Sequence, residues 1–205
     1  MIKKPDGQQH HGNLKEALVM AGLQILEEEG LAELSLRKCA ARAGVSHAAP
    51  AHHFSGVAGL RSAIATKAYG IFEDLMKQGI AEAGSDPSEQ IKGMCRGYLR
   101  FATEHDALFN LIFVHRDTLP DDPERERAAL SARQVLIDTC AALSPDANRL
   151  NVTEIAVWSL VHGYAKLMEI GRVELGSGDA RDVGFDEVFK FLTIAQEPKQ
   201  ITDLA

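Results

Sequence analysis

Apolar residues recur three and four positions apart along most of the chain, and strict alternation of apolar and polar residues is rare. This spacing is typical of amphipathic α-helices rather than β-strands. The first such segment, Leu14 to Glu29, places Leu14, Leu18 and Ile25 on one face, and Gly30 follows where a helix would end. The pattern therefore predicts an all-α protein.

The next segments predict a sharp helical corner. Ser35 is placed to cap a short helix that ends at Gly44, and Ser46 is placed to cap a third short helix that runs through His53. Two short helices joined by only Ala-Gly-Val-Ser cannot lie parallel. We therefore expect a three-helix N-terminal module, followed by a long fourth helix from about Val57 to Ala83.

Beyond the break at SDPS, five more helical patterns follow, separated by LPDDPE, LSPDAN and GSGDARDVG. They are predicted at about 88–105, 107–116, 124–142, 151–173 and 184–195. We expect two domains: an N-terminal helix-turn-helix domain at 1–56 and a larger helical domain at 57–205. The helix at 57–83 would be the joint between them.

Charge is unevenly distributed along the chain. The net charge is -7, which taken alone argues against a general nucleic-acid binder. Between Glu33 and Glu73, however, there is no acidic residue, whereas five Lys or Arg lie in that gap: Arg37, Lys38, Arg42, Arg61 and Lys67. This bias indicates that one end of the protein could face an anion.

The stretch AARAGVSHAAPAHHF, from Ala40 to Phe54, has the parts that a helix-turn-helix requires. Gly44 suits the tight turn, and Ser46 would leave the amides of the second helix facing phosphate. The small side chains of Ala48 and Ala49 would let the backbone approach the major groove. A zinc site is not indicated there, because the two adjacent histidines of the stretch point about 100° apart around a helix.

The longer stretch LSLRKCAARAGVSHAAPAHHF resembles the N-terminal domain of the TetR family of transcriptional regulators, and the resemblance extends over residues 14–72. It implies that hydroxyl and basic side chains contact phosphate and that His47 meets phosphate or a base edge. The sequence departs from the family at Ala51 and Val57, where a tyrosine and a lysine usually contact phosphate. We therefore expect weaker affinity for DNA and a flatter salt dependence.

The DNA-binding candidates are Ser35, Arg37, Lys38, Ser46, His47, Ala48, Ala49, His52 and His53. For His53, a core or interhelical hydrogen bond is the alternative.

Two later stretches, YLRFATEHDALFNLIF and VWSLVHGYAKL, resemble the C-terminal domain of one TetR subgroup, named for a tryptophan, a histidine and a glycine that are here Trp158, His162 and Gly163. The resemblance implies a small apolar or aromatic effector that tilts the fourth helix of a homodimer. The ligand-binding candidates are Phe101, Phe109, Phe113, His115, Trp158 and His162, with a core role as the alternative for His162. The candidates for the dimer interface are Leu160, Leu167, Phe185, Val188, Phe189 and Leu192.

These features predict a ligand-responsive homodimeric regulator, a repressor that binds a palindromic operator of double-stranded DNA and is released by its effector. We expect no enzyme activity, cofactor or metal, because no nucleophile elbow, phosphate loop, paired-carboxylate motif or ligand cluster is present. The polar N-terminus and three unpaired cysteines favour a cytoplasmic protein without a membrane partner. The alternative is a helical ligand sensor with weak or lost operator binding that acts through a protein partner.

Overall fold

The computed structural model describes residues 14–142, 147–173 and 184–190, and its regular structure over these ranges is entirely helical. The prediction of an all-α protein is therefore confirmed. The α-helices in these ranges are α1 (Leu14–Glu29), α2 (Leu36–Arg42), α3 (Gly56–Glu82), α4 (Pro87–Glu104), α5 (Asp106–Phe113), α6 (Pro123–Ala141), α7 (Ala147–Glu169) and α8 (Phe185–Phe189). Short 3-10 helices occur at Leu31–Glu33, Ala49–His52 and Arg116–Thr118.

The chain packs as two compact units. Among the described residues, the first unit comprises 14–71 and 105–129, and the second comprises 72–104, 130–142, 147–173 and 184–190. Helices α3 and α6 each supply residues to both units. These are units of packing, and the functional division expected at residue 56 stays a prediction.

In the first unit, α1 packs against α2, α3 and α5. Leu18 and Ile25 of α1 are fully buried. Gly22 brings α1 close to α3, because a Cβ atom there would lie 2.8 Å from Cδ1 of Ile64. The start of α6 is tied to α3 by Asp122, whose carboxylate accepts hydrogen bonds from the Glu124 amide (2.9 Å) and the Ser62 hydroxyl (2.8 Å).

In the second unit, the C-terminal part of α3 and helix α4 touch through their backbones. A Cβ atom on Gly79 would lie 2.0 Å from the carbonyl oxygen of Gly93, and one on Gly97 would lie 2.1 Å from the carbonyl oxygen of Leu75. No side chain fits at either position, so the glycines permit this close crossing. Next to it, the rings of Phe72 and Tyr98 meet edge to face with centroids 4.9 Å apart.

The N-terminal corner differs from the prediction in one of its two short helices. The Ser35 hydroxyl accepts a hydrogen bond from the Lys38 amide at 3.3 Å, so the predicted cap is confirmed, and Gly44 has a φ of 68° in the turn. The third short helix, predicted from Ser46 to His53, is shorter than expected and is not capped: the chain forms a turn and then the 3-10 helix Ala49–His52, whose start has no side-chain cap. Pro50 lacks an amide proton, and so short a segment gains few of the bonds that offset helix nucleation.

All three cysteines, Cys39, Cys95 and Cys140, are buried free thiols. Their side chains fill the core as small apolar groups.

Candidate nucleic-acid interface

The segment from Ser35 to Phe54 has one face in the core of the first unit and one face open to solvent. Cys39, Ala40 and Phe54 are buried. Most of the DNA-binding candidates are exposed, namely Ser35, Arg37, Ser46, His47, Ala48, His52 and His53, whereas Lys38 and Ala49 are half-buried. The fold thus brings the candidates to one stretch of accessible surface.

Helix α2 presents two basic side chains in different ways. Arg37 is exposed, and within the described ranges no hydrogen bond or ion pair is formed by its guanidinium. Lys38 instead turns back, and its Nζ donates to the carboxylate of Glu29 and to that of Glu33, the latter at 3.0 Å. The hydrogen bonds to Glu29 and then Glu33 raise the pKa of Lys38. Arg37 therefore offers an unpaired charge to an anion, and Lys38 does not.

Two of the three remaining cations of the acid-free gap are also paired with acids from outside it. Arg42 contacts Glu28 at 2.6 Å and Glu29 at 2.9 Å, and Lys67 contacts Glu16 at 3.0 Å. Because these partners are 13 to 51 positions apart along the chain, the charge pattern of the sequence could not show the pairing. The surface is less basic than the gap suggests.

The turn after α2 sets the position of the histidines. The Val45 amide donates to the carbonyl of Ala40 at 3.0 Å, which closes the turn and leads the chain outward to His47. His53 is exposed, with its ring centroid 6.4 Å from that of Phe54, so the alternative of a core histidine does not fit the structure. Across the described part of the chain, no three His, Cys, Asp or Glu side chains are grouped so that they could hold a metal ion.

The candidates for effector binding fall in both compact units. In the second unit, the Tyr98 hydroxyl of α4 is 2.8 Å from Nδ1 of His162 on α7. His162 and Trp158 are half-buried, whereas Phe101 is fully buried and packs on Phe72 with centroids 5.1 Å apart. Burial, followed by the positive charge of Lys166, lowers the pKa of His162. Tyr98 is the partner that the sequence could not supply, because it lies 64 positions from His162.

The other effector-site candidates lie in the first unit. The rings of Phe109 and Phe113 on α5 pack with centroids 4.9 Å apart. Phe109 is buried, and Phe113 and His115 are half-buried. A role for these three residues in effector binding stays a prediction.

The candidates for the dimer interface are only partly accessible. Leu167 is 44% exposed, and Leu160 and Val188 are half-buried. Phe185 and Phe189 are buried within the unit, where Phe185 packs on Tyr164 with centroids 5.2 Å apart, so their proposed place on an outer surface is corrected. Leu192 lies outside the described residues. The sequence interpretation missed exposed apolar side chains on and just after α7, namely Val152 (69%), Ile155 (51%) and Ile170 (64%).

Comparison with known proteins gives consistent results for the C-terminal half and for the whole chain. Residues 91–192 match the family model for the tetracyclin repressor-like C-terminal domain. An uncharacterized HTH-type transcriptional regulator of Mycobacterium tuberculosis is 22% identical over 176 residues, which cover 85% of this chain and 76% of that protein.

Solved structures show the same fold. A Rhodococcus protein of unknown function has a TM-score of 0.73 at 24% identity, with 91% of this chain and 94% of the other covered. A TetR family transcription regulator from Marinobacter aquaeolei has a TM-score of 0.57 at 18% identity, with coverage of 89% and 97%. The matched family and the curated relative are transcriptional regulators and not enzymes. The chain belongs to the TetR family of transcriptional regulators.

Proposed function

We propose that the protein is a homodimeric repressor that binds a palindromic operator and is released by a small apolar or aromatic effector. The observation that supports operator binding most directly is the solvent-facing side of the segment from Ser35 to His53. It joins a capped helix, a glycine turn and three exposed histidines to the guanidinium of Arg37, which has no ion-pair partner among the described residues. In this arrangement Arg37 contacts phosphate and His47 contacts a base edge.

One observation favours the second candidate, a ligand sensor that acts through a protein partner. Lys38 and Arg42 are both held by carboxylates, and the family's usual tyrosine and lysine are replaced by Ala51 and Val57. Fewer free cations mean fewer phosphate contacts and weaker sequence-independent binding. Direct binding to DNA separates the two candidates.

For the effector, we propose contacts with Trp158 and His162 on α7. The two side chains are four residues apart, so they share a face of the helix, and both are half-buried. A neutral His162, oriented by the Tyr98 hydroxyl, supplies one polar contact to the effector. The effector would bind more tightly to the conformer that does not bind DNA than to the conformer that does. The equilibrium between these two conformers shifts by that difference in binding free energy, typically about 1–3 kcal/mol.

For the homodimer, we propose that the exposed apolar residues of α7 and its end form the interface: Val152, Ile155, Leu167 and Ile170. Ile155 and Leu167 are twelve residues apart, so they would lie about 120° apart around the helix axis. Burying such a stripe against a second copy removes apolar surface from water. A two-fold dimer would present two copies of His47 to a palindromic site.

The first experiment is selection of bound sequences from a randomised duplex library at two salt concentrations. Enrichment of a palindrome at both concentrations is the expected result, and the enriched sequence then serves as the probe for effector screening. A folded protein that retains no particular sequence would support the sensor that acts through a protein partner.

A second experiment assigns the contacts. Arg37→Ala should weaken binding to all duplexes about equally and lower the slope of log K against log salt by about 0.9. His47→Ala should change the preference at one base position by about 1–3 kcal/mol. If His47→Ala leaves every base preference unchanged, His47 does not read a base.

A further inference from the structure

The ion pairs around α2 form one continuous network within the first unit. Glu29 contacts both Lys38 and Arg42, Glu28 contacts Arg42, and Glu33 contacts Lys38. Three carboxylates thus face two cations, so the network carries a net negative charge next to the exposed segment that begins at Ser35. The only basic side chain of α2 outside the network is Arg37.

We propose that Glu29 and Glu33 compete with DNA phosphate for Lys38 and so keep the sequence-independent affinity of this regulator low. The proposal rests on the function proposed above, because it assumes that the segment from Ser35 to His53 faces DNA. Glu29 and Glu33 act through Lys38 and are positioning residues that do not themselves touch DNA.

The exposure of the partners makes the exchange physically reasonable. The Lys38 side chain is 36% exposed and that of Glu33 is 59% exposed. Ion pairs at such positions are weak, because water and salt screen them. Lys38 can therefore leave its carboxylates for a phosphate without unfolding of α2, but each departure leaves Glu33 without a partner and Glu29 with Arg42 alone, so negative charge is left uncompensated close to the DNA. On random DNA, the release of Lys38 from its carboxylates gains only one phosphate contact. On an operator, base contacts fix the register of the protein, and the phosphate contact of Lys38 is then made together with many others.

The test uses the full-length chain, a duplex of random sequence and fluorescence anisotropy over a range of salt concentrations. Glu33→Gln removes one competing carboxylate at an exposed position. One additional phosphate contact changes affinity by about eightfold between 1 M and 0.1 M salt. We expect Glu33→Gln to bind about fivefold more tightly at 0.1 M salt, with a slope steeper by about 0.9.

Glu187→Gln is the matched control. It also removes a carboxylate that is paired with a lysine close by in the chain, because Glu187 contacts Lys190 at 2.6 Å. It changes the net charge by the same amount as Glu33→Gln. It lies on α8 in the second unit, at a similar exposure of 66%. Its effect gives the contribution of net charge alone.

A double variant shows whether the effect passes through Lys38. In a Lys38→Ala background, Glu33→Gln should gain no more affinity than Glu187→Gln does. The proposal is overturned if Glu33→Gln gains no more than the control in the wild-type background, or if its gain persists without Lys38. Should Glu33→Gln fail to fold, Glu29→Gln takes its place under the same criteria.

The outcome is separable from that of the proposed function. If Arg37→Ala weakens binding but Glu33→Gln behaves like Glu187→Gln, only the competition is wrong. If Arg37→Ala and His47→Ala both leave DNA binding unchanged, the DNA-facing surface itself is wrong.

Discussion

Ser35 and Ser46 precede the two short segments of the N-terminal corner, and only Ser35 caps one. Its hydroxyl satisfies the Lys38 amide at the start of α2, whereas the 3-10 helix Ala49–His52 begins without a side-chain cap. The same residue type therefore has a structural role at one position and is free for an external contact at the other. Sequence alone predicted a cap at both, because the pattern before a helix does not reveal whether the helix forms.

Ser35→Ala should destabilise the protein by about 1 kcal/mol, the usual cost of losing an N-cap. Ser46→Ala is the matched control and should change the free energy of unfolding by less than about 0.5 kcal/mol. Both values come from urea denaturation followed by circular dichroism. An equal loss for the two variants would contradict the assigned cap.

His162 shows how burial and charge act on one side chain. Its lowered pKa means that the folded protein binds this proton less readily than the unfolded chain, whose value is near 6.5. This contribution to stability is fully present above pH 6.5 and is lost as the pH falls through that value towards the lower pKa of the folded state.

We therefore expect the free energy of unfolding to fall on acidification below about pH 6.5 and expect His162→Gln to lose part of that dependence. His52→Gln, at an exposed position, serves as the control. The pKa of His162 can be measured directly by NMR titration of the imidazole. A value at or above 6.5 in the folded protein would rule out this contribution.

At the scale of elements, the longer helices were predictable from periodicity and punctuation. The predicted range 14–29 agrees with α1, and 57–83 and 88–105 lie within one residue of α3 and α4 at each end. Gly30 follows the end of α1, Gly56 begins α3 and Pro87 begins α4. The ion pairs of Lys38 and the bond between Tyr98 and His162 were not predictable, because they join residues that only the folded chain brings together.

The close crossing of α3 and α4 was also invisible in the sequence, since a glycine inside a helix has several explanations. Gly79 and Gly70 are both in α3, but only Gly79 faces another backbone. Nothing lies within 4 Å of a Cβ atom placed on Gly70. The two positions therefore allow a matched comparison within one helix.

Gly79→Ala should destabilise the protein by more than about 2 kcal/mol, because the added methyl group would overlap the Gly93 carbonyl and force the helices apart. Gly70→Ala should stabilise it by about 0.5–1 kcal/mol through helix propensity. Thermal and chemical denaturation of both variants measure the difference. Effects of the same sign would show that the crossing yields more easily than the geometry indicates.

At the scale of the whole molecule, exposed apolar surface and charge point to different partners. The apolar side chains of α7 suit a second copy of the chain, and the segment around His47 suits a polyanion. No helix in the described ranges is long and apolar enough to cross a membrane. The sequence predicted a dimer through the last helices, but it placed Phe185 and Phe189 outside because it could not show which side of α8 faces the core.

Ile155→Glu should shift the protein from dimer to monomer, because a charge placed in an apolar interface loses its hydration without gaining a partner. Leu130→Glu, which replaces a similarly exposed apolar residue (54%) on α6, is the control. Sedimentation velocity at several concentrations reports the oligomeric state. A dimer that survives Ile155→Glu and Leu167→Glu would place the interface elsewhere.

The three buried cysteines have a practical consequence for measuring the spacing of the recognition segments. Burial raises the pKa of all three thiols, that of Cys140 to about 12, so almost none of the reactive thiolate is present at neutral pH. A cysteine introduced at an exposed position outside the segment from Ser35 to His53, such as Ala32, would then be the fast-reacting thiol, and a maleimide dye or spin label could be attached without removing the native ones. The distance between labels on two copies, with and without DNA or a test compound, would report the spacing of the recognition segments in an otherwise unaltered protein.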